Sequence, residues 1–99
     1  MLNTTVFVQT PENNEYRYLQ PKWLDAIAKE LTANAEKYPG ETWRNIPSDE
    51  HAARAIRHLN LYRLGDSSED HLIHAAIRSM MAFITNEANN NEKLQTISR

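Results

Sequence analysis

No cysteine occurs in the 99 residues, so neither a disulfide nor a thiolate metal site holds this chain together. Glycine appears only at Gly40 and Gly65, which excludes a glycine-rich phosphate loop. No apolar run approaches the roughly 20 residues that cross a bilayer, so no membrane partner is expected. The opening Met1-Leu2-Asn3-Thr4-Thr5 lacks a basic region followed by an apolar one, and an intracellular, cytoplasmic protein is expected from that. Charge of one sign is lacking too: the net value of −2 argues against DNA as a partner.

What is present is a folded composition, 40% hydrophobic with four prolines. The length suits one helical domain over residues 1–99, with a modest core that a homo-oligomer would help to complete. Charge is unevenly spread. All four histidines and four of the eleven Lys and Arg residues lie between His51 and Arg78, a stretch with only three acids.

Residues 1–20 read as an arm. Thr5-Val6-Phe7-Val8-Gln9-Thr10 is a β-branched and aromatic run suited to a short extended segment, Pro11 ends it, and Tyr16-Arg17-Tyr18-Leu19 is expected to be extended as well. Residues 21–87 form the helical core. Pro21 opens a first helix whose Trp23, Leu24, Ile27, Leu31 and Ala35 make an apolar stripe, ending near Lys37-Tyr38 before Pro39-Gly40. A loop from Tyr38 to Pro47 carries Trp43 and Arg44, either a lid over a ligand or a plug at the edge of the core.

Ser48 is the expected N-cap of a second helix, with Asp49 and Glu50 in its first turn and Gly65 at its C′ position. Its expected core stripe is Ala52, Ala55, Ile56, Leu59 and Tyr62. Asp66-Ser67-Ser68 is a connector with a cap, short enough to make the next helix an antiparallel neighbour. That third helix is expected from Glu69 to Glu87, burying Ile73, Ala76, Ile77, Met80, Phe83 and Ile84. Residues 88–99 read as a polar tail. The fold class is all-α: a three-helix antiparallel bundle, or helical hairpin core, with a short extended N-terminal arm.

Residues three, four and seven apart share a helix face. His51, Arg54 and His58 therefore line one side of the second helix, and Asp70, His74 and Arg78 one side of the third, with His71 beside them. Arginine and histidine at a helix border suit phosphate oxygens. The same residues also fit plain i,i+4 pairs, Glu50 with Arg54 and Asp70 with His74, on a solvated face. His71 and His74 with Asp70 offer nitrogen and oxygen to a divalent ion, although no HExxH motif is present. Ser67 and Ser68 are better explained as caps than as nucleophiles.

The stretches Gln20-Pro21-Lys22-Trp23, Ala33-Asn34-Ala35-Glu36-Lys37-Tyr38 and Thr42-Trp43-Arg44 resemble the small phage domain called dATP/dGTP diphosphohydrolase, N-terminal. The resemblance continues through Ala55-Ile56-Arg57-His58-Leu59 and Leu64-Gly65-Asp66 to Asp70-His71-Leu72-Ile73-His74-Ala75-Ala76. It implies helical nucleotide binding and a likeness to the all-α NTP pyrophosphatases, which hold Mg²⁺ on clustered carboxylates. By that likeness Glu30, Glu36, Glu69 and Asp70 would be the candidate ligands of Mg²⁺ in a dNTP pyrophosphohydrolase. This chain departs from the carboxylate pattern, since its third helix continues from Glu69-Asp70 with His and Arg.

The leading expectation is therefore an oligomeric, phage-type protein that holds a phosphate-bearing nucleotide without needing a metal or hydrolysis. Phage proteins that sequester cyclic immune signals are the analogy. Its expected ligand-binding residues are Tyr38, Trp43, Arg44, His51, Arg54, His58, His71, His74 and Arg78. The alternatives are the Mg²⁺-dependent hydrolase and a protein–protein interaction module docking through Tyr16, Tyr18 and Val6-Phe7-Val8.

Overall fold

The computed structural model describes residues 15–36 and 39–97, with side chains as far as Asn90. The expected Val6-Phe7-Val8 arm and Tyr38 lie outside the described residues. Three α-helices follow in order, α1 (Pro21–Ala33), α2 (Ser48–Arg63) and α3 (His71–Ile97). Short 3₁₀ segments, Tyr16–Tyr18 and Pro39–Asn45, precede α1 and α2. The fold is all-α, and no helix among the described residues is long and apolar enough to cross a membrane.

The helix ends show where local chemistry overrides the simplest reading. Tyr16–Tyr18 is a turn of 3₁₀ helix and not extended, closed by bonds from the Tyr18 and Leu19 amides to the Glu15 and Tyr16 carbonyls. The Arg17 guanidinium, 5.1 Å from the Tyr18 ring centre and 3.0 Å from the Glu15 carboxylate, favours that turn. Helix α1 stops at Ala33, short of Lys37, because the Asn34 side-chain amide folds back to donate to the Glu30 carbonyl at 2.9 Å.

Ser48 is already inside α2. Pro47, with φ −57°, sets the entry, and its carbonyl accepts from the Glu50 and His51 amides. Neither Ser67 nor Ser68 caps α3. Asp70 does, its Oδ1 accepting from the Ile73 amide at 3.3 Å, while Ser68 donates to Asp66 at 2.7 Å. Helix α3 also runs on through the expected polar tail to Ile97, since no glycine or proline interrupts residues 71–97.

Gly65 ends α2 as expected. At φ +90° it makes a Schellman turn, in which its amide bonds the Tyr62 carbonyl and the Asp66 amide bonds the Leu61 carbonyl, each at 3.0 Å. The turn reverses the chain into α3. His58 meets His71 and His51 meets Arg78, so steps back along α2 match steps forward along α3, which is the antiparallel register.

Among the described residues, α1, α2 and the Pro39–Asn45 segment each pack on α3. The architecture is thus a helical hairpin of α2 and α3 with α1 packed on α3. The core is Ile73, Ile77 and Met81 of α3 against Ala26, Ile27 and Trp43. The expected apolar stripes fare unevenly. Ile73 and Ile77 are buried, whereas Trp23, Leu24, Leu31, Ile56, Leu59, Tyr62, Met80 and Phe83 are exposed. Helix α2 turns its histidine edge, not its apolar stripe, toward α3: His51 is wholly buried while Ile56 is 60% exposed.

An alanine at Gly65 finds open space for its Cβ but must hold a left-handed backbone. Gly65→Ala should lower stability by about 1–2 kcal/mol. Thermal denaturation should show this as a fall of about 4–8 °C for each kcal/mol lost.

Candidate functional site

The polar residues between the helices form two groups, one buried and structural, the other open to a cleft. The buried group begins with His51. Arg78 has only N–H donors, so its Nη1 donates to His51 Nδ1 at 3.1 Å. His51 Nε2 then carries the proton and donates to the Trp43 carbonyl at 2.9 Å. With both nitrogens engaged and no exposed surface, His51 fixes the positions of Trp43 and Arg78. The Trp43 ring stands edge-on to it at 6.3 Å.

His71 is likewise buried. Its Nε2 donates to Asp66 Oδ2 at 2.5 Å, and its Nδ1 lies 2.9 Å from His58 Nδ1. A carboxylate can only accept, so His71 Nε2 carries a proton, and in the tautomer with its lone pair on Nδ1 the bond to His58 is donated by His58 Nδ1–H. The chain Asp66–His71–His58 therefore leaves the lone pair of His58 on Nε2. Burial, with His74, holds the His58 ring below the ordinary imidazole range and keeps it neutral. Asp66 is held below the ordinary carboxylate range by the His71 and Ser68 hydrogen bonds.

The second group faces a cleft of about 550 Å³ between α1, the Pro39–Asn45 segment, α2 and α3. His74 is its centre, with Nε2 3.0 Å from Glu30 Oε2 and Nδ1 2.8 Å from Glu69 Oε1. The Asn34 amide donates to the same Glu30 oxygen at 2.6 Å. The His58 ring stands edge-on to His74 at 5.0 Å. Arg78 and Trp43 line the same cleft, and Leu31, Ile77, Met80 and Met81 give it an apolar wall. The size is that of a small-molecule pocket. Gly40 and Glu41, both with positive φ, bend the segment that carries Trp43 over the cleft.

Of the nine residues expected to bind ligand, Trp43, His58, His74 and Arg78 come together here. His51 and His71 lie behind them in the packing between α2 and α3. Arg54 is held by Glu50 at 3.0 Å on the exposed surface of α2. Arg44 pairs with Glu41 at 3.1 Å, its guanidinium 4.5 Å from the Trp43 ring centre. Two contributors went unread in the sequence, Asn34 and Asp66. The signal for Asp66 was its place directly after the C′ glycine, where a Schellman turn aims it back at the start of the next helix.

The chain belongs to the dATP/dGTP diphosphohydrolase, N-terminal family. The family's model matches residues 7–96, nearly the whole chain. No curated protein and no solved structure matches it. The family resemblance implied Mg²⁺ on Glu30, Glu36, Glu69 and Asp70, and of these the structure brings Glu30 and Glu69 to the cleft. Glu69 reaches the cleft, Glu36 is exposed beyond the end of α1, and Asp70 caps α3 and lines a separate apolar groove with Trp23 and Leu72. Among the described residues the group able to hold a cation is His58, Glu69 and His74.

The depressed Asp66 value makes a signed prediction. A carboxyl held lower in the folded state contributes stability above its ordinary value of 3.8 that is lost as pH falls through the folded one. Denaturant unfolding of the wild type and Asp66→Asn between pH 7 and pH 2 should therefore show a wild-type advantage near neutrality that closes on acidification below about pH 4. An advantage constant across that range would remove this role.

Proposed function

We propose that the protein binds a purine nucleotide in the cleft through its phosphates, and that holding this ligand is its function. The observation that carries the proposal is the convergence of Arg78, His74 and Trp43 on one cleft of about 550 Å³ in a chain of this family. Arg78 uses one N–H on His51, which orients the guanidinium and leaves its other donors for phosphate oxygens. Trp43 with Leu31, Met80 and Met81 offers a flat apolar wall to a base. The proposal includes a homo-oligomer, for which the exposed Trp23, Leu72, Met80 and Phe83 offer apolar side chains to a second copy.

Sequestration and hydrolysis differ in the fate of the bound nucleotide. Sequestration is supported by the scattered positions of Glu36, Glu69 and Asp70. Hydrolysis of a dNTP is the second reading, and one observation favours it: Glu30 and Glu69 both face the cleft beside His74. Carboxylates repel bare phosphate unless a cation stands between them.

The test is incubation of the protein with linear and cyclic nucleotides and a divalent ion, then mass spectrometry of the free and heat-released fractions. Intact nucleotide from the denatured protein supports sequestration, and a monophosphate with pyrophosphate supports hydrolysis. Arg78→Ala should weaken retention about 10- to 100-fold, as expected for losing a charge-assisted hydrogen bond, and His74→Ala should weaken it as well, because it releases Glu30 and Glu69 into the cleft. Arg54→Ala, on the exposed face, should leave it unchanged. Retention of no nucleotide by the wild type would overturn the proposal and favour an interaction module.

A further inference from the structure

We propose that His58, His74 and Glu69 form a mononuclear site for a first-row transition metal ion, two imidazoles and one carboxylate, that binds Zn²⁺ or Mn²⁺ in preference to Mg²⁺. The three residues come from α2, the connector and the first turn of α3, and one ligand atom from each lies within 4.8 Å of the other two. Around an ion with ligands at about 2.0–2.2 Å, neighbouring ligand atoms stand roughly 3–3.5 Å apart. Small side-chain rotations close that difference.

The far side of each imidazole makes this more than a chance cluster. A metal-bound histidine characteristically donates its second ring N–H to a carboxylate or carbonyl, which fixes its tautomer and aims its lone pair. His74 has this support directly, and His58 has it through a second imidazole that ends on a carboxylate. His74 Nε2 faces Glu30 Oε2 at 3.0 Å, and Asn34 anchors the same oxygen at 2.6 Å. His58 Nδ1 faces buried His71 at 2.9 Å, and His71 passes the bond to Asp66. With those nitrogens committed, His58 Nε2 and His74 Nδ1 are the atoms left for an ion, and His74 Nδ1 is the one that lies 2.8 Å from Glu69 Oε1. An ion there takes the place of the proton shared between His74 and Glu69.

The donor set decides the metal class. Mg²⁺ takes oxygen ligands in a near-ideal octahedron, whereas imidazole nitrogen suits Zn²⁺ and its neighbours. Three protein ligands leave coordination positions on the cleft side, within the space that Arg78 and Trp43 also line. The metal site is complete without a nucleotide, so it does not depend on nucleotide binding.

The experiment uses untagged full-length chain, stripped of metal and titrated with ZnCl₂, MnCl₂ or MgCl₂ by calorimetry without nucleotide. Bound metal is counted after dialysis, and the melting temperature is followed alongside. One Zn²⁺ or Mn²⁺ ion per chain is expected, with Mg²⁺ binding at least about 10-fold weaker. Because the ligands bridge α2 to α3, a saturating ion should also raise the melting temperature by about 5 °C. Glu69→Gln, at a half-exposed position that tolerates exchange, and His74→Gln should each abolish stoichiometric binding with the helical circular dichroism retained. Asp66→Asn, which touches no ligand atom of the site, should weaken the metal about 10-fold through its effect on His58. A wild-type chain that retains neither ion overturns the proposal. So does retention unchanged in both Glu69→Gln and His74→Gln, which places the ion elsewhere. A chain that binds the ion and no nucleotide supports the metal site while removing the nucleotide-binding function.

Discussion

The hydrogen-bond chain from Asp66 through buried His71 to His58 is the constraint on which the remainder of this small fold depends. It closes the turn between α2 and α3, sets their antiparallel register, and fixes the imidazole that faces the cleft. It exists because Gly65 adopts a left-handed backbone, which only glycine does cheaply, and so delivers Asp66 to the start of α3. One backbone angle thereby reaches from a helix end to the chemistry of the cleft.

The pairing of α2 with α3 is polar at its centre, and this shapes what the molecule can do. Buried imidazoles are tolerable only when both nitrogens find partners, and His51 and His71 each do. Once satisfied, such a network admits few alternative arrangements, so it holds Arg78, Trp43 and His58 in place more tightly than apolar packing of similar area would. The cost falls on the hydrophobic surface. With the histidine edge of α2 inward, Ile56, Leu59 and Tyr62 turn toward water, and the apolar core shrinks to a short row on α3.

The same geometry separates the four histidines into two kinds. Two are buried and serve as supports. The other two face the cleft, where they stand with Glu30 and Glu69 in reach of one another. Spacing along a helix grouped His51, Arg54 and His58 on one face, but it could not rank them. Arg54 was drawn outward by Glu50 four residues earlier, a local pair that forms whatever the rest of the chain does. His51 and His58 were drawn inward by residues on α3 that are distant in sequence.

The sequence by itself determined the helical class, the place where each helix begins to within a few residues, the reversal at Gly65, and the stretch from His51 to Arg78 as the place where polar groups concentrate. These are local matters, set by the period of the backbone, by proline at a helix entry and by glycine past a helix end. The resemblance to its family was legible for the same reason, because it rests on residue types in a fixed order. Tertiary structure alone decided which face of α2 meets α3, that α1 packs against α3, and that Asn34 and Glu30 of α1 complete the surroundings of His74. A helix surface is a continuous cylinder, and a rotation of some tens of degrees exchanges a histidine row for an apolar one at little local cost. Only the sum of long-range contacts and satisfied hydrogen bonds selects among those rotations, and that sum cannot be read along the chain.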